Sequence, residues 1–478
     1  PDRPIFGEPW RQMWQARLEA TPPILATWLQ HQREDDYWKR GSVAFDADMA
    51  GQSGGPAGVP AYLVSGWSDT YQVSVLRLLA SLRAPSKALI GPWGHTYPYT
   101  GQPVGLDWAK EEVRWWRHWL NGEETGIMDE PRLRVFMPYA TASETAGRPI
   151  PGRWIAEPDW PSTPATLRYH LNAGGLGDAA VQGSPFIHRN TDIVGSTKPE
   201  WLDRLPIEQS HDDARSLVFD SDTLDAPLEI LGTPELRIEV ASDVPVATLM
   251  ARLTELRPNG ESWLVTWAAL NLTRRDSMAD PQPLEPGKTY TVPISLRSVA
   301  HRFGAGSKIR LAISEGSWPM LWPSPVTPTL TFAAGVSTLD LPVRPMEKAP
   351  APFAVEEISN GPAPFETYRP GMAGADGDVV ITTSTRSPPY AVADTGIELS
   401  SINDQVCQIH ADDPLSARWR QSFSSAWKRD ALTCRVDASY ELVSDANAFR
   451  LTESLGAFLD GEKIFDRTHA ATIARDLM

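Results

Sequence analysis

Two short apolar runs with a helical stretch between them constrain how the first hundred residues can fold. Tyr62, Leu63 and Val64 form one run, closed by Gly66, and Ala88, Leu89 and Ile90 form the other, closed by Gly91 and Pro92. Runs this short and this apolar are the pattern of buried parallel strands. Between them, Val75, Leu76, Leu79 and Leu82 recur at helical spacing, so Val73 to Leu82 is predicted to be a helix. A strand, a helix and a second strand joined by a right-handed crossover bring both carboxyl ends to one edge of a sheet. Open α/β sheets place their chemistry at that edge.

An acid and a histidine stand there. Asp69 follows the first strand and His95 the second, His95 being held between Gly-Pro-Trp-Gly and Tyr-Pro. A lone aspartate before a helix is commonly a cap or turn former. The pairing of Asp69 with a histidine in a stiff loop favours an acid that orients a base, with the base acting on a nucleophile.

These residues also carry a resemblance. Gly66-Trp67-Ser68-Asp69 followed by Ile90-Gly91-Pro92-Trp93-Gly94-His95 resembles the CocE/NonD hydrolases, the group containing X-Pro dipeptidyl peptidases, cocaine esterase and α-amino acid ester hydrolases. Trp28 to Ser42 is similar to the end of that family's helical cap, and Val113 to Met137 with Gly152 to Pro161 to its passage into a C-terminal β domain. Ala300 to Ser314 is similar to late strands of that domain. The resemblance implies serine hydrolase chemistry on an ester, amide or X-Pro-type peptide bond, with Asp69 orienting His95 and no cofactor or metal. It implies the C-terminal part of an α/β-hydrolase domain, then a jelly-roll β sandwich, then a β extension.

The nucleophile is harder to place. In α/β-hydrolases the chain order is serine, acid, histidine, so the serine precedes Asp69. Gly51-Gln52-Ser53-Gly54-Gly55 matches G-x-S-x-G, but acidic Phe45 to Ala50 precedes it and glycine- and proline-rich Gly54 to Pro60 follows it. A nucleophile elbow needs a buried strand before the serine and a helix after it. Ser53 is therefore read as part of a polar loop, and the nucleophile is expected upstream of Pro1. Only two parallel strands are recognised here, fewer than a buried parallel sheet needs.

Composition narrows the remaining possibilities. The net charge of −16 over 478 residues gives no basic footprint for nucleic acid or anionic membranes. No apolar run approaches the roughly 18 residues that would span a bilayer, and a cytoplasmic location is the expectation. Cys407 and Cys434 lack C-x-x-C spacing and are expected to be free thiols. Tryptophan is abundant, at 19 copies. Trp116 and Trp119 with Val113 and Leu120 make a stripe expected to face the core, on a helix capped by Asp107 and ended at Gly122. Trp67 and Trp93 flank the acid and base, where they either line an acyl pocket or seal the loops against the core. His118, on the same helix, is read as a packed or surface histidine.

From about Pro131 the texture becomes alternating strands: Leu133–Met137, Thr166–Leu171, Ser216–Asp220, Glu235–Ser242, Thr248–Leu256, Ser262–Leu270, Tyr290–Leu296 and Lys308–Ser314. Their number and spacing predict a β sandwich. Asp220, Asp222 and Asp225 resemble a calcium loop but lack its glycine and distal glutamate, and are read as turn and edge residues. After a Pro- and Ala-rich connection, strands resume at Asp378–Thr385, Ala431–Val443 and Ala448–Arg467, the last with a hairpin turn at Asp460-Gly461. The expected division is 1–125 for the cap end and the last hydrolase strands, 126–345 for the sandwich and 346–478 for an extension packed on it. The competing function is a non-catalytic module whose sandwich binds carbohydrate or protein, with vestigial acid and histidine.

Overall fold

The computed structural model describes residues 9–40, 42, 45, 59–100, 104–139, 151–162, 165–189, 193–196, 208–346, 357–359, 368–369 and 377–478. Strands Ala61–Gly66, Ser86–Gly91 and Leu133–Pro138 form a parallel sheet in that order, and Gly152–Glu157 adds antiparallel to Leu133–Pro138. Helix Gln72–Ser81 makes the crossover between the first two strands and buries Leu76 and Leu79 against Ala88, Ile90, Leu133 and Val135. Ser86–Gly91, paired on both sides, is buried along its whole length. Ala61–Gly66 is only half buried, and no strand among the described residues pairs with its outer edge.

Leu133–Pro138 corrects an expectation. Its alternating sequence predicts a sandwich strand with one wet face, yet it is the third parallel strand and its first five residues are buried. The polar residue that creates the alternation, Arg134, is itself internal and donates to Glu130 at 2.6 Å. A paired charge inside the fold thus imitates a solvent-facing position. The helix Trp108–Asn121 is also turned from its expected orientation. Trp108, Glu111 and Trp115 are buried, whereas Val113, Trp116 and Leu120 are exposed. Gly122 ends it in a left-handed conformation, with the Gly122 and Glu123 amides donating to His118 and Arg117 carbonyls. Three described helices precede the sheet, Trp10–Ala20, Ile24–Gln30 and the short Asp36–Lys39, the first two separated at Pro22-Pro23. No described helix is long and apolar enough to cross a membrane.

Two antiparallel sheets follow. One contains Val299–Phe303, Leu228–Gly232, Thr338–Val343, Glu235–Ser242, Thr329–Phe332 and Phe186–Arg189 in order, with Ala165–Asn172, Gly175–Gly177 and Tyr290–Ser295 attached. The other is Ser262–Asn271, Thr248–Leu256, Lys308–Ser314 and Leu217–Asp220. Their inner faces share one core, with Leu236, Ile238 and Val240 of the first meeting Leu249, Leu253 and Leu311 of the second. Buried charges weld the sandwich to the parallel sheet. Glu229 takes two hydrogen bonds from Arg153, at 2.6 and 2.8 Å, and Arg344 bridges Glu229 to Glu157 at 3.5 and 2.9 Å.

The last module is an antiparallel meander of seven strands running from Tyr368–Arg369 to Glu462–Ala474. Asp460 and Gly461, with φ of 50° and 86°, form its final hairpin turn. One end of the meander packs Val379, Ile381, Cys407 and Ile409 on Ile193 and Trp318 of the sandwich region. Another part packs Leu451 and Ile473 on Ala26, and Asp476 pairs with Arg33, so the extension also holds the N-terminal helices.

Removing one member of a buried ion pair strands its partner's charge. Glu229→Ala is therefore expected to lower the unfolding free energy by about 3–5 kcal/mol, read by urea denaturation; a loss within experimental error would contradict the role given to this weld. Lys87 offers a pH signature. Its ammonium is buried, donates to the Ile127 and Glu130 carbonyls, and is lowered by desolvation from 10.5 to about 8. Between those values the unfolded chain holds the proton and the folded chain has released it, so this group makes stability rise with pH across the window. Lys87→Met should flatten that rise in unfolding measurements from pH 8 to 10.5; an unchanged slope would show that Lys87 titrates normally.

Candidate active site

The site is built where the first two strands end. Gly66 and Gly91 are direct partners in the sheet, and the chain beyond Gly91 folds Trp93 back across both. A side chain at Gly66 would sit 1.8 Å from the Trp93 carbonyl oxygen, and one at Gly91 2.1 Å from the Trp93 ring. Only glycine admits that approach. The amides of Trp67 and Ser68 then donate to the Gly91 and Trp93 carbonyls at 2.9 and 3.1 Å, which ties the two loops together.

Asp69 emerges from this clasp with both carboxylate oxygens engaged. Oδ1 accepts the Tyr71 amide at 2.9 Å, the turn-forming contact expected of an aspartate before a helix. Oδ2 faces Nδ1 of His95 at 3.2 Å and accepts the Ser65 hydroxyl at 3.1 Å. The structural and the functional readings of Asp69 thus use different oxygens of one carboxylate. The acid is 9% exposed at its side chain and the histidine 56%, so the base reaches the surface while its partner stays protected. Arg297, in the connection between the sandwich strands Tyr290–Ser295 and Val299–Phe303, donates to the Asp69 and Thr70 carbonyls at 2.7 and 2.8 Å. The Gln72 side chain donates to the Ser298 carbonyl at 3.0 Å. Neither Ser65 nor Arg297 is singled out by sequence reasoning. Ser65 sits inside an apolar strand end without a motif, and Arg297 is more than two hundred residues from the loop it holds.

His95 and Asp69 line a cleft of about 670 Å³ together with Tyr62, Val64, Ser65, Trp108, Glu112, Trp115 and Trp116. One wall is therefore formed by the first strand, and the other is the tryptophan face of the helix. Trp93 is buried against Leu89, Leu106 and Trp108, and Trp67 donates its indole N–H to the Phe136 carbonyl at 2.7 Å. Neither lines the cleft, so both seal the loops against the core. Within the first wall, Tyr62 donates to Glu111 at 3.0 Å, and burial with that carboxylate holds its phenol well above the ordinary value.

Ser53 falls outside the described residues. His118 contacts the Glu123 carbonyl from the helix end. Asp220 forms a two-point pair with Arg310, at 2.6 and 2.9 Å, which accounts for its conformation without a cation. Among the described residues no group of three or more His, Cys, Asp or Glu is disposed to hold a metal. Cys407 and Cys434 are free, and burial pushes the Cys407 thiol up to about 11.

Comparison with known proteins identifies relatives of the chain. Residues 6–97 match the X-Pro dipeptidyl-peptidase (S15 family), and residues 125–345 match the X-Pro dipeptidyl-peptidase C-terminal non-catalytic domain. The chain is 23% identical to the cocaine esterase of Rhodococcus sp. (strain MB1 Bresler) over 332 residues, covering 62% of this chain and 54% of the esterase. It is 24% identical over 229 residues to a putative Xaa-Pro dipeptidyl-peptidase of Bacillus anthracis, covering 47% of this chain and 36% of that protein. Among solved structures, an α-amino acid ester hydrolase superposes with a TM-score of 0.54 at 18% identity, over 70% of this chain and 62% of that one. A CocE/NonD family hydrolase from Staphylococcus aureus superposes with a TM-score of 0.51 at 15% identity and the same coverage. The chain spans about half the length of the curated relatives at the head of the comparison, 54% and 56%. Two family matches in the expected order, with the first two parallel strands under one and the sandwich under the other, show that this chain belongs to the X-Pro dipeptidyl-peptidase (S15) group of serine hydrolases.

Proposed function

We propose that this chain supplies the acid and base of a serine acyl hydrolase acting on an ester, amide or X-Pro-type peptide bond, and that the nucleophilic serine comes from a segment outside these 478 residues. The observation that carries the reading is the Asp69–His95 contact of 3.2 Å in a cleft beside the first strand, whose outer edge no described strand pairs. Parallel strands are normally covered on both sides. A further strand paired to Ala61–Gly66 would end at the same sheet edge as Asp69 and His95, where a nucleophile elbow belongs. The exposed Trp116 and Val113 beside the cleft fit a surface that such a segment covers.

In this reading Asp69 receives the Nδ1 proton of His95 in a hydrogen bond and fixes the tautomer. Nε2 then takes the serine hydroxyl proton as the oxygen bonds to the acyl carbon. When the tetrahedral adduct collapses, Nε2 returns that proton to the departing alcohol or amine. Water repeats the sequence to release the acid. The sandwich, read as the family's jelly roll, contributes no reacting group and steadies the acid loop through Arg297.

On the native gene product, a fluorophosphonate probe should label one serine. Asp69→Asn should lower kcat by about 10⁴-fold and His95→Ala by at least as much, because the histidine passes each proton. No labelling, together with unchanged esterase activity in His95→Ala, would defeat the enzyme reading. The 478-residue chain alone should turn over substrate on the order of a million-fold more slowly than the complete enzyme. Robust activity of the chain alone that disappears in Ser53→Ala would instead identify Ser53 as the nucleophile.

A further inference from the structure

Arg297 falls in the segment, residues 125–345, that matches the family's non-catalytic domain, yet its side chain ends in the acid loop. One nitrogen, Nη2, donates to the carbonyls of Asp69 and Thr70 at 2.7 and 2.8 Å. The sandwich holds the arginine in turn. Its backbone amide donates to the Trp267 carbonyl at 3.1 Å, its carbonyl accepts the Thr266 hydroxyl at 2.7 Å, and its guanidinium lies 5.1 Å from the centroid of the Trp267 ring. Thr266 and Trp267 stand on Ser262–Asn271, in the second sandwich sheet. The neighbouring Ser298 accepts the Gln72 side chain at 3.0 Å, and its hydroxyl bonds that of Thr233, just beyond Leu228–Gly232 of the first sheet, at 2.7 Å. One short connection is thus anchored on both sheets and reaches out to the acid.

This grip bears on where the acid points. The Asp69 carbonyl also accepts the Gln72 amide, at a longer 3.4 Å. Carbonyl and carboxylate hang from one Cα, so a rotation of the Asp69 backbone moves both. Fixing the carbonyl limits where Oδ2 can lie relative to Nδ1 of His95, 3.2 Å away. Charge acts in the same direction. Burial lowers the Arg297 pKa and the Asp69 carboxylate opposes that shift, so the guanidinium, which stays protonated, attracts the ionised acid.

We propose that Arg297 is a positioning residue for acyl transfer, holding the Asp69 carboxylate on His95 from the sandwich, so that kcat and not substrate binding depends on it. The proposal rests on the reading of Asp69 and His95 as acid and base. Arg297 bonds main-chain oxygens of the acid loop and acts through Asp69. In that reading both halves of the reaction pass their protons through His95, and a misplaced acid slows both. A displacement of about 1 Å in such a constellation can cost on the order of a hundredfold in rate.

Hydrolysis of p-nitrophenyl butyrate by the native gene product tests this in Arg297→Met, which keeps the stem and removes the donors, and in Arg297→Lys, which keeps a donor and the charge. Arg297→Met should lower kcat about a hundredfold and change KM by less than about twofold, and Arg297→Lys should recover about tenfold of that loss. Hydrogen exchange of the 478-residue chain reads the loop without any nucleophile. Arg297→Met should speed exchange from Gly66 to Val73 and leave Thr248–Leu256 and Lys308–Ser314 unchanged. An unchanged kcat in Arg297→Met while His95→Ala is inactive would overturn the positioning role and leave the hydrolase reading intact. A rise in KM at constant kcat, or faster exchange through the sandwich strands as well, would overturn it too. Equal activity of the wild type and His95→Ala would overturn the acid–base reading and the positioning role with it.

Discussion

The close packing of Trp93 over Gly66 and Gly91 is the contact on which the site geometry depends. Two adjacent parallel strands end in glycines because the Trp93 main chain and indole occupy the space that side chains would take. That contact sets the separation of the two loops, and the loops carry Asp69 and His95. The acid and base face each other because a large buried aromatic lies where it does. The short distance between them is a consequence of core packing, and the polar contact itself refines the orientation of each ring and carboxylate.

The sandwich extends this control from outside the sheet. Arg297 grips the two carbonyls of the acid loop, and Gln72 answers with a bond to Ser298. These contacts can be rigid only because Arg153, Glu229, Arg344 and Glu157 lock the two modules through charges removed from water. Such a network favours one relative placement strongly, since any other leaves a buried charge unpaired. The sandwich therefore holds the Asp69 loop in place from outside the parallel sheet.

Much of this was legible in the chain. Glu235–Ser242 and Lys308–Ser314 form where period-two alternation predicts them, because each begins with one face on the shared core and one face wetter; Thr248–Leu256 also forms as expected, although Leu249 to Glu255 are buried on both faces. Asp69 and His95 were legible because glycine, proline and tryptophan punctuate the strand ends. Leu133–Pro138 and the helix Trp108–Asn121 were misread for a common reason. Arg134 and Glu111 are buried, paired ions, and a hydropathy pattern scores a buried ion as a surface residue. The strands Leu228–Gly232, Thr329–Phe332 and Thr338–Val343 are short, and they become strands through partners distant in sequence.

By itself the sequence determined the local elements, the strand-end placement of an acid and a histidine, and the family, since these follow from residue spacing and from turn residues with few conformational options. Tertiary structure alone decided which tryptophans seal the core, that Ser65 and Arg297 support Asp69, that no described strand pairs with the outer edge of the first, and that the C-terminal meander shares a cavity with the N-terminal helices. Each of these joins residues far apart along the chain. Their contacts exist only after separate modules dock, and no local pattern encodes which distant surface will arrive.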